Sequence, residues 1–423
     1  MFSMQEELSD KVPDWANMLG DIVRCIADKT RSVRYRICMS AVCQSWQASV
    51  LDQKLNFPVC LLLAEKEDSD QRCLYNVSEE IFIELDLPEI RGRRCWGSPF
   101  GWLVTCGPDL EFRLFNPLSK ASLPLPSIRT LFDYKDEQCS DIEPDFWCTF
   151  YLYKVILSSS PEESGSDCIV LAIYSWRYVA FAKSGDKAWT RIDNMQGVDA
   201  IYFKGSVFCC RHNGEIFQCE DLYGAGPKAM KFAPPPTVSD LTAKYLFVLD
   251  GNLCLACREA PPHYEDEDEG EDEWGEDEDE DEDEGEGGGG EGEGEERYLY
   301  LTVGFYIFKL DMDTRCWEKM FSLGGNSLFL GNCCSFVINA VDYNGCRPNC
   351  VYFSEDEIEH YHHTGSRDMG IYNCENLKLD LDLEEVDASV LDGMVEPFPK
   401  SKDVQHLLLS YFSPPLWLIP YSR

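Results

Sequence analysis

The chain has 423 residues, 44% hydrophobic and 13% aromatic, with 76 acidic against 37 basic side chains and a formal net charge of −39. That length exceeds one ordinary domain, no stretch approaches the roughly 20 apolar residues that span a bilayer, and no Lys/Arg cluster suits a nucleic-acid backbone. The acidic start, Met1 to Glu7, has neither the basic residues nor the apolar run of a secretory signal, so we expect an intracellular protein of nucleus and/or cytoplasm, with no membrane or nucleic-acid partner. In that reducing compartment its 21 cysteines read mainly as small buried hydrophobes.

The first fifty residues read as helix. Asp21 is placed to accept from free amides at a helix start, and Ile22 and Ile26 share one face at i and i+4. Ser32 is a candidate cap for a second helix bearing Val33, Ile37 and Ala41. Val42, Trp46 and Val50 carry the apolar stripe into a third turn or helix. About forty residues bury little surface alone, so three short helices with apolar residues left over point to a docking module or to a cap on the chain's own core.

Beyond residue 55 short apolar runs alternate with Gly, Pro, Asn and Asp turns, the grammar of antiparallel strands. Lys154–Leu157, Cys168–Tyr174 and Tyr178–Ala182 are examples, and Ala200–Phe203 with Ser206–Cys209 reads as a hairpin around Lys204-Gly205. Tyr245–Leu249 and Leu253–Cys257 flank the hairpin signal Asp250-Gly251-Asn252. Residues 265–296 then hold 22 acidic side chains and no Lys or Arg, and removing those charges from −39 leaves −17. Such a block repels itself and is expected to be disordered. Strand pattern resumes at Tyr298, so the block reads as an overgrown loop within one sheet, tolerated because closure entropy grows only logarithmically with length. It serves as a plain spacer or as a salt-sensitive clamp for a basic protein.

So many strands without helical crossovers must manage their edges by closure or radial repetition. The expected fold is mainly β: a three-helix N-terminal module, then a β-propeller of six or seven blades at roughly 45 residues each, with a large pair of β-sandwiches as the alternative. Candidate chemistry is sparse. Ser184–Thr190 faintly resembles the turn box of propeller sialidases, His360, His362 and His363 lie in a polar loop segment, and Cys254 and Cys257 fall on opposite strand faces. Cys346 and Cys350 have no partnering pair with zinc spacing, and Asn76-Val77-Ser78 matches a glycosylation sequon that is meaningless without secretion. No catalytic constellation, metal site or cofactor site is expected.

Two resemblances refine this. Residues 13–52 resemble an F-box: Met18-Leu19-Gly20-Asp21-Ile22 stands in the place of the family's Leu-Pro-x-Asp-Leu, without its proline, and Val42-Cys43-Gln44-Ser45-Trp46 matches the closing Val-Cys-x-x-Trp. Residues 55–420, interrupted at 265–296, resemble the plant KIB-type β-propeller family through Leu114–Ser119, Leu123-Pro124-Leu125-Pro126, Phe305–Asp311, Ser322–Gly331, Pro348–Asp356 and the closing Trp417. The resemblance implies a non-enzymatic substrate-recognition subunit of a Skp–cullin–F-box ubiquitin ligase. Met18, Leu19, Ile22, Ile26, Val42, Cys43 and Trp46 would meet the Skp adaptor and, through it, a cullin, while the propeller holds a protein target. The alternative is a non-ligase propeller scaffold whose acidic loop binds basic proteins.

Overall fold

A computed structural model describes residues 15–29, 33–40, 42–51, 58–65, 69–131, 148, 151–224, 226–237, 243–260, 262–264, 298–300, 302–343, 345–354, 368–375, 395–397 and 415–420. Three helices, α1 (Gly20–Lys29), α2 (Val33–Ser40) and α3 (Gln44–Leu51), precede six sheets that form the blades of a propeller. From axis to rim, blade one is Leu416–Leu418, Cys60–Leu62, Gln71–Asn76 and Ile81–Asp86, and blade two is Arg94–Trp96, Leu103–Cys106, Phe112–Phe115 and Ser122–Pro124. Blade three is Leu152–Leu157, Val170–Tyr174, Tyr178–Ala182 and Thr190–Gln196, and blade four is Asp199–Phe203, Ser206–Cys210, Ile216–Cys219 and Met230–Ala233. Blade five is Ala243–Leu249, Asn252–Glu259, Gly304–Leu310 and Trp317–Met320. Blade six has five strands, in the order Phe336–Asn339, Asn326–Leu330, Cys350–Phe353, Gly370–Asn373 and Val395–Pro397. The blade count is therefore six.

One local device builds three of the outer hairpins. Asn76, Asn116 and Asp311 each follow a third strand, and each side-chain oxygen accepts the amides two and three residues on: Ser78 and Glu79, Leu118 and Ser119, Asp313 and Thr314. Four residues after each, Glu80, Lys120 and Arg315 adopt φ of 52°, 60° and 60°, a left-handed conformation costly for side chains other than Gly and Asn. The side-chain turn offsets that cost by satisfying amides the reversal would leave unpaired. Asn76 is wholly buried in this role, so the sequon residue is a turn former.

The ring closes where the two ends of the propeller meet. The last strand, Leu416–Leu418, pairs antiparallel with Cys60–Leu62 as the inner strand of blade one. Tryptophan N–H groups then cross three of the blade boundaries: Trp417 donates to the Leu330 carbonyl of blade six at 2.9 Å, Trp189 of blade three to Pro126 after blade two at 2.9 Å, and Trp317 of blade five to Pro234 after blade four at 2.7 Å. Trp189 and Trp317, which follow the charged turns Asp186-Lys187 and Asp313-Thr314-Arg315, thus latch their blades to the preceding ones. Along the axis, the turn 331–335 of blade six reaches across the ring. The Cys334 amide donates to Gly97 of blade two and its Sγ accepts from the Leu157 amide of blade three at 3.2 Å. Asn332 accepts from the Arg94 guanidinium at 3.1 Å and donates to the Tyr153 carbonyl at 2.8 Å.

Blades three, four and five share a buried ion pair. Lys154 Nζ lies 3.0 Å from Asp199 Oδ1, with side chains only 7% and 2% exposed, and Asp199 also accepts the amides of Ala200 and Leu246 at 2.9 and 2.7 Å. Burial pushes the Asp199 carboxyl above its usual range, against the opposing pull of Lys154 and the two amides. Truncating one partner strands a buried charge, whereas replacing both with apolar residues removes the desolvation penalty. Asp199→Ala should therefore cost about 3–5 kcal/mol in urea unfolding, and Lys154→Met with Asp199→Leu should recover most of it.

The two strands that flank the acidic block, Asn252–Glu259 and Gly304–Leu310, pair directly with each other from Cys254↔Lys309 to Glu259↔Gly304. The pairing continues outward as a short hairpin, Pro262–Tyr264 with Tyr298–Tyr300. Residues 265–296 themselves lie outside the described residues. Only Gly197 and Val198 join the rim strand of blade three to the inner strand of blade four. Since each of these blades is a four-stranded meander, the turns 175–177 and 211–215 and the root of the acidic insertion all emerge at one end of the propeller.

Candidate functional site

The helical module is apolar on two sides. Val23 and Ala27 of α1, at i and i+4, join Met39 and Val50 in a small buried core, with Met18 and Trp46 packed against it. Leu19, Ile22 and Ile26, at i, i+3 and i+7, form a second stripe that remains exposed at 71%, 48% and 41%, as does Val42 at 53%. A helix of this size keeps its polar face in water; an apolar one in addition to the packed face is surface awaiting a cover.

The expected contact residues thus separate into two groups. Leu19, Ile22, Ile26 and Val42 lie on the surface. Trp46 instead packs inward, and its indole N–H donates to the Trp15 carbonyl at 2.9 Å; Met18 and Cys43 are half-buried, and the Cys43 thiol faces the Ala16 carbonyl at 3.9 Å. Asp21 does not cap α1. The helix begins one residue earlier, so Asp21 sits inside the first turn, favourable to the helix dipole, and pairs with Arg24 at 3.1 Å. Ser32 and the Val33, Ile37 and Ala41 side chains lie outside the described residues. Sequence reasoning missed Gly20: a Cβ there would stand 2.7 Å from Ser49 Oγ, which donates to the Ser45 carbonyl, so glycine lets α1 reach α3.

The other candidates resolve into structure. Asp186 accepts the Lys183 amide at 2.8 Å in a turn completed by Gly185 at φ 93°, and the adjoining Trp189 is the latch already described. Cys254 and Cys257 lie on opposite faces of their strand in different core clusters, and burial pushes both thiols up to about 12. Of the described cysteines all are free thiols, and only Cys25, Cys38, Cys43 and Cys316 escape full burial. Among the described residues no cluster of His, Cys, Asp or Glu is placed to hold a metal, and no helix is long and apolar enough to cross a membrane. His360, His362 and His363 lie outside the described residues.

A short helical bundle with an exposed apolar stripe, followed by a six-bladed propeller, defines the class: a β-propeller protein with an N-terminal helical module. Residues 74–373 match the family model of the KIB1-4 beta-propeller, and the chain belongs to that family. Similar proteins from Arabidopsis thaliana bear F-box names. A putative F-box protein is 23% identical over 376 residues, covering 86% of this chain and 92% of its own. Another F-box protein is 22% identical over 372 residues, covering 81% and 96%, and F-box protein SKIP23 is 22% identical over 443 residues, covering 97% of each.

The packed core and the exposed stripe make opposite predictions. Val50→Ala removes buried apolar contact worth about 1–3 kcal/mol and should speed amide exchange across α1 and α3 about tenfold or more. Ile22→Ala, on the exposed stripe, should leave those rates unchanged.

Proposed function

We propose that the chain is the substrate-recognition subunit of a Skp–cullin–F-box ubiquitin ligase. The observation that carries this reading is the exposed stripe Leu19, Ile22 and Ile26, with Val42, left over once the bundle has packed its own core. Apolar side chains at helical spacing suit a groove on a partner, and covering them would offset the ordering cost of so small a module. Met18, Cys43 and Trp46 support the stripe from beneath rather than forming it. The propeller holds the target, and the ubiquitin chemistry comes from subunits recruited through the adaptor and cullin, so this chain acts by raising effective concentration. Membership of the propeller family and the F-box names of relatives that align along most of the chain support the same arrangement.

Capture of a purified Skp adaptor by the full chain tests the reading. Wild type should retain it, Ile22→Asp should lose it while the thermal melting curve stays in place, and Trp46→Ala should weaken capture together with helix stability. Equal capture by wild type and by Ile22→Asp would rule the stripe out as the docking face.

A further inference from the structure

Blade three carries a feature that neither packing nor the docking module uses. Its second and third strands are joined by Ser175-Trp176-Arg177, and Trp176 is 80% exposed, the most exposed aromatic among the described residues. Ser175 and Arg177 hold φ of 50° and 63°. Other turns of the propeller place one residue other than glycine at positive φ, as at Glu80, Lys120 and Arg315, whereas this one places two within three residues. The strained backbone is braced at all three residues: the Ser175 amide donates to Tyr151 O at 2.7 Å, the Gly197 amide to Arg177 O at 2.9 Å, and Gln196 Nε2 to Trp176 O at 3.3 Å. The indole is thus presented on a rigid support at small further entropic cost.

Its surroundings are those of a binding hot spot, which favours Trp, Tyr and Arg. Tyr151, Tyr174 and Tyr178 form a ladder with ring centroids 5.7 and 6.1 Å apart. Arg177 lies 3.7 Å over the Tyr153 ring, and Arg191 lies 3.6 Å over Tyr178. Stacking occupies the flat face of a guanidinium and leaves its N–H edge for a carboxylate. Arg177 enters no ion pair among the described residues. The strands that root the acidic block lie two blades away, in blade five.

We propose that this end of blade three is the target-binding surface and that it takes an acidic protein segment, with Trp176 in an apolar niche of the partner and Arg177 on its carboxylates. The proposal rests on the reading of the chain as a recruiting subunit. A single-stranded nucleic acid would use the same stacking chemistry, but it needs a basic track along its backbone, and the sequence has no Lys/Arg cluster to supply one.

The test pans a random peptide display library on the full-length wild type and, in parallel, on Trp176→Ala and Arg177→Glu. Peptides enriched on wild type should pair Asp or Glu with aliphatic or aromatic residues, and a synthetic copy should lose about tenfold in affinity with either variant, the scale of one hot-spot contact. No enrichment, enrichment of Lys/Arg-rich peptides, undiminished binding to both variants, or tighter binding of a labelled single-stranded oligonucleotide would overturn the proposal. Both variants should melt like wild type and capture the adaptor equally. Failure of wild type to capture the adaptor would sink the ligase reading while the peptide result still decides the surface.

Discussion

Everything in the propeller depends on the burial of Trp417 against its neighbours. The indole is wholly buried, donates to Leu330 across a blade boundary, and stands edge-on to Phe329 with centroids 5.1 Å apart. Its strand is the last described one, yet it forms the inner edge of the first blade, so the ring closes and only the short rim strands are left as edges. The constraint is tight enough to dictate residues far away. A Cβ at Gly97 would lie 2.0 Å from the Trp417 carbonyl oxygen, so only glycine fits there.

A closed ring is a rigid support for what protrudes from it. The tryptophan latches, the Lys154–Asp199 pair and the bridge of Cys334 across the axis tie blades that are distant in sequence and so hold the turns between them in fixed positions. The helical module is built on the opposite principle. Its core of Val23, Ala27, Met39 and Val50 is too small to bury all its apolar side chains, and the surplus on α1 is what a partner would cover. On the proposed function, the rigid part would hold a target and the incomplete part would dock on an adaptor.

Much of this was legible in the sequence wherever the signal was local. Hairpins at Asp250-Gly251-Asn252 and Lys204-Gly205, the opposite facing of Cys254 and Cys257, and the placing of the acidic block between paired strands all follow from period-two alternation and turn chemistry. The six-blade count was not legible. In blade six Asn326–Leu330 precedes the inner strand Phe336–Asn339 and runs parallel to Cys350–Phe353, and closure by residues 416–418 is a contact across the whole chain. In the helical module, apolar spacing identified α1 but not which stripe faces inward: Val23 and Ala27 do, while Ile22 and Ile26 do not. Trp46 suits a core or an interface, because buried aromatics serve both alike; it is half-buried against the bundle, with its N–H on Trp15. Trp176 gave no signal, because its exposure depends on a turn conformation that the sequence does not advertise.

If the α1 stripe docks on an adaptor while the propeller stays unchanged, hydrogen–deuterium exchange of the full-length protein with and without a purified Skp adaptor should show new protection confined to α1 and the segment around Val42, with the blades exchanging as before. Protection in the blades while α1 exchanges freely would rule out docking through α1.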